Sequence, residues 1–114
     1  MALLSGTVAN TNQDPNIVFK VGGAGFENFP GTSYAVTSMF FCNLSQDSTN
    51  LNIFLVPQGQ TPNSSNLVLK QLPLNALDTF AFDTEKIILD QGDAIAAQAS
   101  NNDMTVILSI VRVA

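Results

Sequence analysis

The segment LDQGDAIAAQAS, from Leu89 to Ser100, carries two carboxylates, Asp90 and Asp93, with a glutamine and a glycine between them. Carboxylates this close together could bind Ca²⁺, but calcium takes about six to eight oxygen ligands and this loop departs from the EF-hand pattern. The alternative is a tight turn in which Gly92 has a positive φ and an aspartate caps exposed amides. We favour the turn, with Asp90, Gly92 and Asp93 as its structural residues, and we predict no metal site.

A second carboxylate pair, Asp83 and Glu85, lies on either side of one threonine. A glycosidase pair would need a cleft, a separation of about 5–10 Å and usually aromatic platforms for the sugar. The sequence has no tryptophan and one tyrosine. We therefore interpret this pair as solvated charge at a turn, where it discourages pairing with another strand.

The remaining catalytic chemistries lack their residues. The sequence contains no histidine and a single cysteine, Cys42, which excludes Ser-His-Asp and Cys-His nucleophiles and zinc sites built on His or several Cys. The glycine-rich GGAG, Gly22 to Gly25, lacks the Lys-Ser/Thr partner of a phosphate-binding loop. We predict a protein that is not an enzyme and has no cofactor, with Cys42 as a buried, inert thiol.

Composition points towards assembly. The chain has 114 residues, enough for one domain, and only 11 % of them are charged, against roughly 25 % in an ordinary soluble domain. A surface so poor in charge indicates contact with copies of the chain or with a larger assembly. The net charge of −5, with four scattered basic residues, does not suit nucleic acid or anionic membranes.

Short apolar runs rich in Val, Ile, Phe and Thr are separated by Gly, Pro, Asn, Asp or Ser, which predicts an all-β fold. We expect a single-domain two-sheet β-sandwich, jelly-roll-like, with eight or nine short strands. Residues 1–33 would form N-terminal strands and an irregular glycine-rich arm, Val21 to Ser33, and residues 34–114 the sandwich core. The predicted strands are Leu3–Ala9, Asn16–Val21, Tyr34–Asn43, Asn50–Val56, Leu67–Leu72, Asp78–Phe82, Glu85–Leu89, Ile95–Ala99 and Thr105–Val113.

Several of these strands are apolar on both faces, whereas a strand of an antiparallel sandwich usually has one wet face. The last strand places Val106, Leu108 and Ile110 on one side and Ile107, Val111 and Val113 on the other. Phe54 and Val56 oppose Leu51, Ile53 and Leu55 in the same way, and Val36, Phe40 and Cys42 oppose Ala35, Met39 and Phe41. Because a third layer is hard to build in so short a chain, we predict a symmetric homo-oligomer. The predicted subunit interface comprises Ile107, Val111, Val113, Phe26 and Phe29.

Aromatic and polar groups near the predicted loops offer a different function. Phe26, Phe29 and Tyr34 could bind carbohydrate if they are exposed. Asn63 to Asn66 and Asn101 to Asp103 could bind a glycan or receptor from loop tips. For the aromatic cluster we favour packing of the arm onto a neighbour or onto its own core.

Four segments resemble the small virion structural proteins of tailed bacteriophages. They are NLNIFLVPQG (Asn50 to Gly59), SSNLVLK (Ser64 to Lys70), ILDQGDAIAAQAS (Ile88 to Ser100) and VILSIVRV (Val106 to Val113). The family pattern has a strand ending in V-P-x-G, a loop with S-x-x-N-L/I, and L-E-x-G-D-x-I-x-A-x-A-S before a final strand. The sequence departs from it at Asp90, where the pattern often has Glu, and over its first 33 residues.

The resemblance implies a small β-sandwich that oligomerises on a phage particle and has no enzymatic residues. We therefore expect a capsid decoration (cement) protein that is located in the virion after assembly in the host cytoplasm. Its expected partners are sister copies, in a small oligomer such as a trimer, and the major capsid or other virion proteins. The alternatives are a neck, tail or baseplate component, and a carbohydrate- or receptor-binding module of a tail fibre.

Overall fold

The computed structural model describes residues 2–8, 15–23, 33–44, 46–82, 87–99 and 104–113. These residues form no helix, so none is long and apolar enough to cross a membrane. In chain order the strands are β1 (Ala2–Val8), β2 (Asn16–Lys20), β3 (Tyr34–Asn43), β4 (Thr49–Val56), β5 (Leu67–Leu74), β6 (Thr79–Phe82), β7 (Ile87–Leu89), β8 (Ala94–Ala99) and β9 (Met104–Arg112). β-Branched and aromatic residues, which favour extended backbone, make up half or more of β2, β3, β4, β6, β7 and β9.

The strands make two antiparallel sheets. Sheet A has the order β1-β9-β3, and both β6 and β7 pair with β3; sheet B has the order β2-β8-β4-β5. The prediction of an all-β two-sheet sandwich is confirmed. The pairing is nested along the chain: β1 pairs with β9, β2 with β8, β3 with β6 and β7, and β4 with β5.

One apolar core lies between the sheets. Alternate residues of β9, namely Val106, Leu108 and Ile110, are buried there. From sheet A, Met39 and Phe41 of β3 belong to the same core. From sheet B, Phe19 of β2 and the alternate residues Ile95, Ala97 and Ala99 of β8 also belong to it. This alternation is the period-2 pattern expected of strands with one face in a core.

A register shift in β3 changes which of its residues face the core. The pairing of β3 with β9 is irregular between Val36 and Ser38, and an extra residue in a strand reverses the alternation beyond it. The predicted grouping of Val36 with Phe40 and Cys42 is therefore wrong. Val36 is buried in the core, whereas Phe40 is 41 % exposed on the other side of the sheet. The thiol of Cys42 is half-buried rather than buried.

Candidate functional site

Asp90 and Asp93, the two aspartates of the segment LDQGDAIAAQAS, lie in the turn between β7 and β8. The side chain of Asp93 accepts hydrogen bonds from two backbone amides, that of Asp90 at 3.0 Å and that of Gln58 at 2.9 Å. The amide of Asp93 in turn donates to the carbonyl of Asp90, at 3.0 Å. Since Gln58 follows β4 and Asp90 follows β7, this one carboxylate joins connections from both sheets.

The same turn is tied to the end of β2. The amide of Gly92 donates to the carbonyl of Val21 at 3.0 Å, and the amide of Val21 donates to the carbonyl of Asp93 at 3.1 Å. Asp90 accepts a hydrogen bond from the hydroxyl of Ser33. The carboxylates thus serve the junction of the two sheets, and no group of three or more potential metal ligands occurs in the part of the chain that the structure describes.

Gly92 is suited to this turn for two reasons. Its φ is +87°, a conformation that L side chains rarely adopt, and a Cβ placed on it would lie 2.5 Å from Cγ of Gln58. Gly59 also has a positive φ, of +82°, but a Cβ there would meet no atom within 4 Å. The two glycines therefore share the backbone requirement, and only Gly92 is also restricted by a neighbour.

In the polar loop after β4, the side-chain amides of Asn63 and Asn66 form hydrogen bonds within the loop itself. The side chain of Asn66 is buried, accepts a hydrogen bond from the amide of Asn63 at 3.0 Å, and donates to the carbonyl of Thr61 at 3.0 Å. The side chain of Asn63 donates to the same carbonyl at 2.7 Å and accepts the amide of Ser65 at 2.8 Å. Asn63 and Asn66, two of the residues considered for a glycan contact at this loop tip, thus also hold the loop together.

The other candidate sites have these positions. Tyr34 is buried and packs edge-on against Phe19, with ring centroids 5.9 Å apart, so it is not the exposed platform that a sugar site would need. Phe26, Phe29, Asp83, Glu85 and residues 101–103 lie outside the described residues. An open cleft of about 180 Å³ is lined mainly by apolar residues of β4 and β7, and also by Asp93.

Asn43, which no sequence motif singled out, fixes the opposite end of β3. Its side chain is fully buried and donates to the carbonyls of Asp47 at 2.8 Å and Asn75 at 3.1 Å. Its backbone amide donates to the carbonyl of Asp78 at 2.9 Å. One buried amide thereby joins the connections that follow β3 and β5.

Sheet A has a second side that faces away from the core, which we call the outer face of sheet A. Register places Phe40 beside Ile107, and Ala35 between Val111 and Ile88, on this face. Phe40 and Ile107 are 41 % and 40 % exposed. The apolar members of the outer face are Leu3, Ala35, Phe40, Ala81, Ile88, Ile107 and Val111.

The outer face of sheet A is also free of charge over the described strands. None of the nine strands contains an aspartate or glutamate, and Arg112 is the only charged residue in the five strands of sheet A. Arg112 pairs with Tyr34, whose side chain is in the core. Because directly paired residues lie on the same side of a sheet, Arg112 lies on the core side and not on the outer face. The polar residues that register places between the apolar ones carry hydroxyl groups or a thiol, and they include Ser38, Cys42, Thr79, Thr105 and Ser109.

The outer face of sheet B differs. Phe54 and Val56 are 6 % and 4 % exposed, and they pack with Ala94, Ala96 and the partly buried Leu67. The expectation that the second face of β4 needs another subunit is therefore wrong, since this chain buries it alone. Sheet A thus exposes Leu3, Phe40, Ile88 and Ile107 on its outer face, whereas sheet B buries Phe54 and Val56 of β4 and exposes Ile17 of β2, at 41 %.

The three predicted interface residues of the C-terminal segment, Ile107, Val111 and Val113, differ in position and exposure. Ile107 is exposed on the outer face of sheet A, Val111 is half-buried there, and Val113 follows the end of β9 and is 52 % exposed. Phe40, Ile88 and Leu3 belong with them but were not predicted. Strand pairing brings them together, and the only sequence signal was the absence of charge from their strands.

Comparisons of the chain with protein-family models, curated proteins and solved structures give no match.

Proposed function

We propose that this protein is a structural component of a tailed-phage virion, namely a capsid decoration (cement) protein that forms a small homo-oligomer and binds other virion proteins. The observation that carries the proposal is the outer face of sheet A, which is partly exposed, largely apolar and, over its described strands, without charge. Such a face on a small domain is typical of a surface that is buried in an assembly.

A second copy of the chain is the partner that best fits this face. Copies with a net charge of −5 repel one another wherever acidic surfaces meet. Across the outer face of sheet A no like charges would meet, because the strands that form it contribute none to that face. A surface that packs on its own copy needs this self-complementarity.

The size of the face is adequate for this role. With strands about 4.8 Å apart and residues about 3.3 Å apart, four strands of about eight residues cover roughly 500 Å² before side-chain relief. A standard interface buries about 800 Å² on each partner. The outer face therefore supplies more than half of such an interface, and each 100 Å² of apolar surface removed from water contributes about 2.5 kcal/mol.

Two further observations support a virion role. The four segments that resemble small phage structural proteins fall on β4, β5, β7, β8 and β9 with their turns. We assign the nested pairing of the strands to a jelly roll, an architecture that viral capsid domains use. The turn at Asp93, the clearest part of the resemblance, acts in our account as a structural junction.

Self-association is tested by Phe40→Lys, with Val68→Lys as the matched control, because Val68 is a similarly exposed apolar residue, at 48 %, on β5 of sheet B. Light scattering after size exclusion should give an oligomer for the native chain and for Val68→Lys. Phe40→Lys should have a lower mass, because a desolvated ammonium in the interface is costly. Equal masses for all three proteins would contradict the proposed interface.

The virion role is tested on purified particles of a phage whose genome encodes this chain. Mass spectrometry of purified particles should detect the chain in hundreds of copies, as expected of decoration. A few copies per particle would instead indicate a neck, tail or baseplate position. Absence of the chain from the particles would contradict the proposal.

A further inference from the structure

The two sheets end in four edges in the described part of the chain, and three of these edges have features that discourage pairing with another strand. The edge strand β5 contains Pro73, which lacks an amide hydrogen, and Gln71, whose φ is +53°. Its pairing with β4 also shifts register twice. An incoming strand would find no regular ladder there.

The edges formed by β2, β6 and β7 are interrupted in other ways. β2 has five residues, a register shift between Ile17 and Phe19, and the charged Lys20 at its end. The far edge of sheet A is divided between β6 and β7, of four and three residues. Short, bulged and charged edges are the usual protection against pairing between molecules.

The edge strand β1 has none of these features. It pairs with β9 over seven consecutive positions, from Ala2 opposite Ile110 to Val8 opposite Met104, with no register shift. Its sequence, ALLSGTV, contains no proline and no charged residue. A regular and uncharged edge is a ready template for another strand.

We infer that the free edge of β1 pairs antiparallel with β1 of a second copy, which makes sheet A continuous across a two-fold axis. The second copy is the fitting occupant because two identical edges related by a two-fold axis present the same unpaired groups to each other. The absence of charge from β1 means that no like charges oppose one another across the axis, although each chain carries a net charge of −5.

This contact deepens the proposed self-association and uses a different part of the surface from the outer face of sheet A. Edge pairing places the outer faces of two copies side by side in one larger sheet. The outer face then remains available to pack on further copies. The two contacts can therefore be removed one at a time.

Amide hydrogen exchange tests the edge directly in the native chain. In an antiparallel edge strand about half of the amides point away from the paired neighbour, and these exchange rapidly while the edge is free. Above the association midpoint, exchange in residues 2–8 should slow by about tenfold or more relative to dilute protein. An assembled protein whose N-terminal amides exchange as in the monomer would overturn the inference and leave the proposed function standing.

The variant Phe40→Lys separates the two contacts. It should remain a dimer in light scattering, with residues 2–8 still protected, because only the outer face is disrupted. A monomeric Phe40→Lys protein beside an oligomeric native chain would overturn edge pairing and support the outer face alone. A native chain that is monomeric at all concentrations would contradict both contacts.

Two proline variants in the Phe40→Lys background complete the test. Neighbouring amides of β1 point alternately towards β9 and towards the free edge. Of Leu4→Pro and Ser5→Pro, one should therefore lose stability by breaking the β9 ladder, as circular dichroism would report. The other should stay folded and become monomeric. A folded dimer in both variants would overturn the inference, and if neither folds, the exchange experiment decides.

Discussion

The outer faces of the two sheets show how the same sequence pattern can have two different outcomes. On sheet B, Phe54 and Val56 are buried by neighbours from the same chain, and the next position carries a polar pair in which Asn52 donates to Gln98 at 3.1 Å. On sheet A, Phe40 and Ile107 lie side by side and remain about two-fifths exposed. A strand that is apolar on both sides therefore does not by itself indicate a subunit interface. The neighbours across the sheet decide whether the chain can bury that second side alone.

Alanine at Phe54 and at Phe40 should separate these two roles most strongly. Phe54→Ala removes a ring from a buried cluster and should lower the free energy of unfolding by about 3 kcal/mol, the low end for large-to-small changes at buried sites. Phe40→Ala should lower it by about 1 kcal/mol or less, because much of that ring is already in water. Urea denaturation at dilute concentration, where association does not contribute, measures both values.

The mass of the assembled protein provides the other half of that comparison. Folded Phe54→Ala should retain the oligomer of the native chain, whereas Phe40→Ala should weaken it. Equal losses of stability at the two positions, or equal effects on mass, would remove the distinction between the faces.

Substitution of Gly92 or Gly59 should lower the free energy of unfolding without changing the outer face of either sheet. Gly59→Ala should lower the free energy of unfolding by about 1 kcal/mol, the cost of a left-handed conformation for an L residue. Gly92→Ala should lower it by about 2 kcal/mol, since its Cβ would also displace the Gln58 side chain. Thermal or urea unfolding would measure the pair, and both variants should keep the native oligomeric mass. An equal cost at the two glycines would show that the Gln58 contact is relaxed at no cost.

The thiol of Cys42 should report the smallest effect. It is half-buried, and alternation places it on the outer face of sheet A. Its reaction with a maleimide should slow severalfold as the protein is concentrated into oligomers, because the reagent must reach the thiolate. The matched control is Val68→Cys in a Cys42→Ser background, whose labelling rate should not depend on protein concentration. A constant rate for Cys42 across the association range would place the interface elsewhere.

Local pattern was enough to predict the fold. Apolar runs and their turn residues predicted an all-β two-sheet sandwich, and the segment Tyr34 to Asn43 coincides with β3 at both ends. Such runs are readable because strand propensity and turn chemistry act over a few residues. A Ca²⁺ site at Asp90 and Asp93 could also be assessed from the sequence, by the number of oxygens that a short loop can supply.

Features that depend on distant neighbours were not readable. The register shift at Thr37 reverses the faces of β3, and nothing in YAVTSMFFCN marks it. The burial of Phe54 depends on Ala96 and Leu67, which pairing places on either side of it. The roles of Asn43 and Asn66 depend on carbonyls that only the folded loops bring near. The apolar composition predicted an exposed surface, and strand pairing determined which residues form it.

Sedimentation equilibrium of the unmodified chain at micromolar concentration tests the central claim most directly, that the outer face of sheet A is buried against sister copies. We expect a mass that is a multiple of 12.1 kDa and that falls to the edge-paired dimer in Phe40→Lys but is unchanged in Val68→Lys. A stable monomer of the native chain across the micromolar range would contradict it.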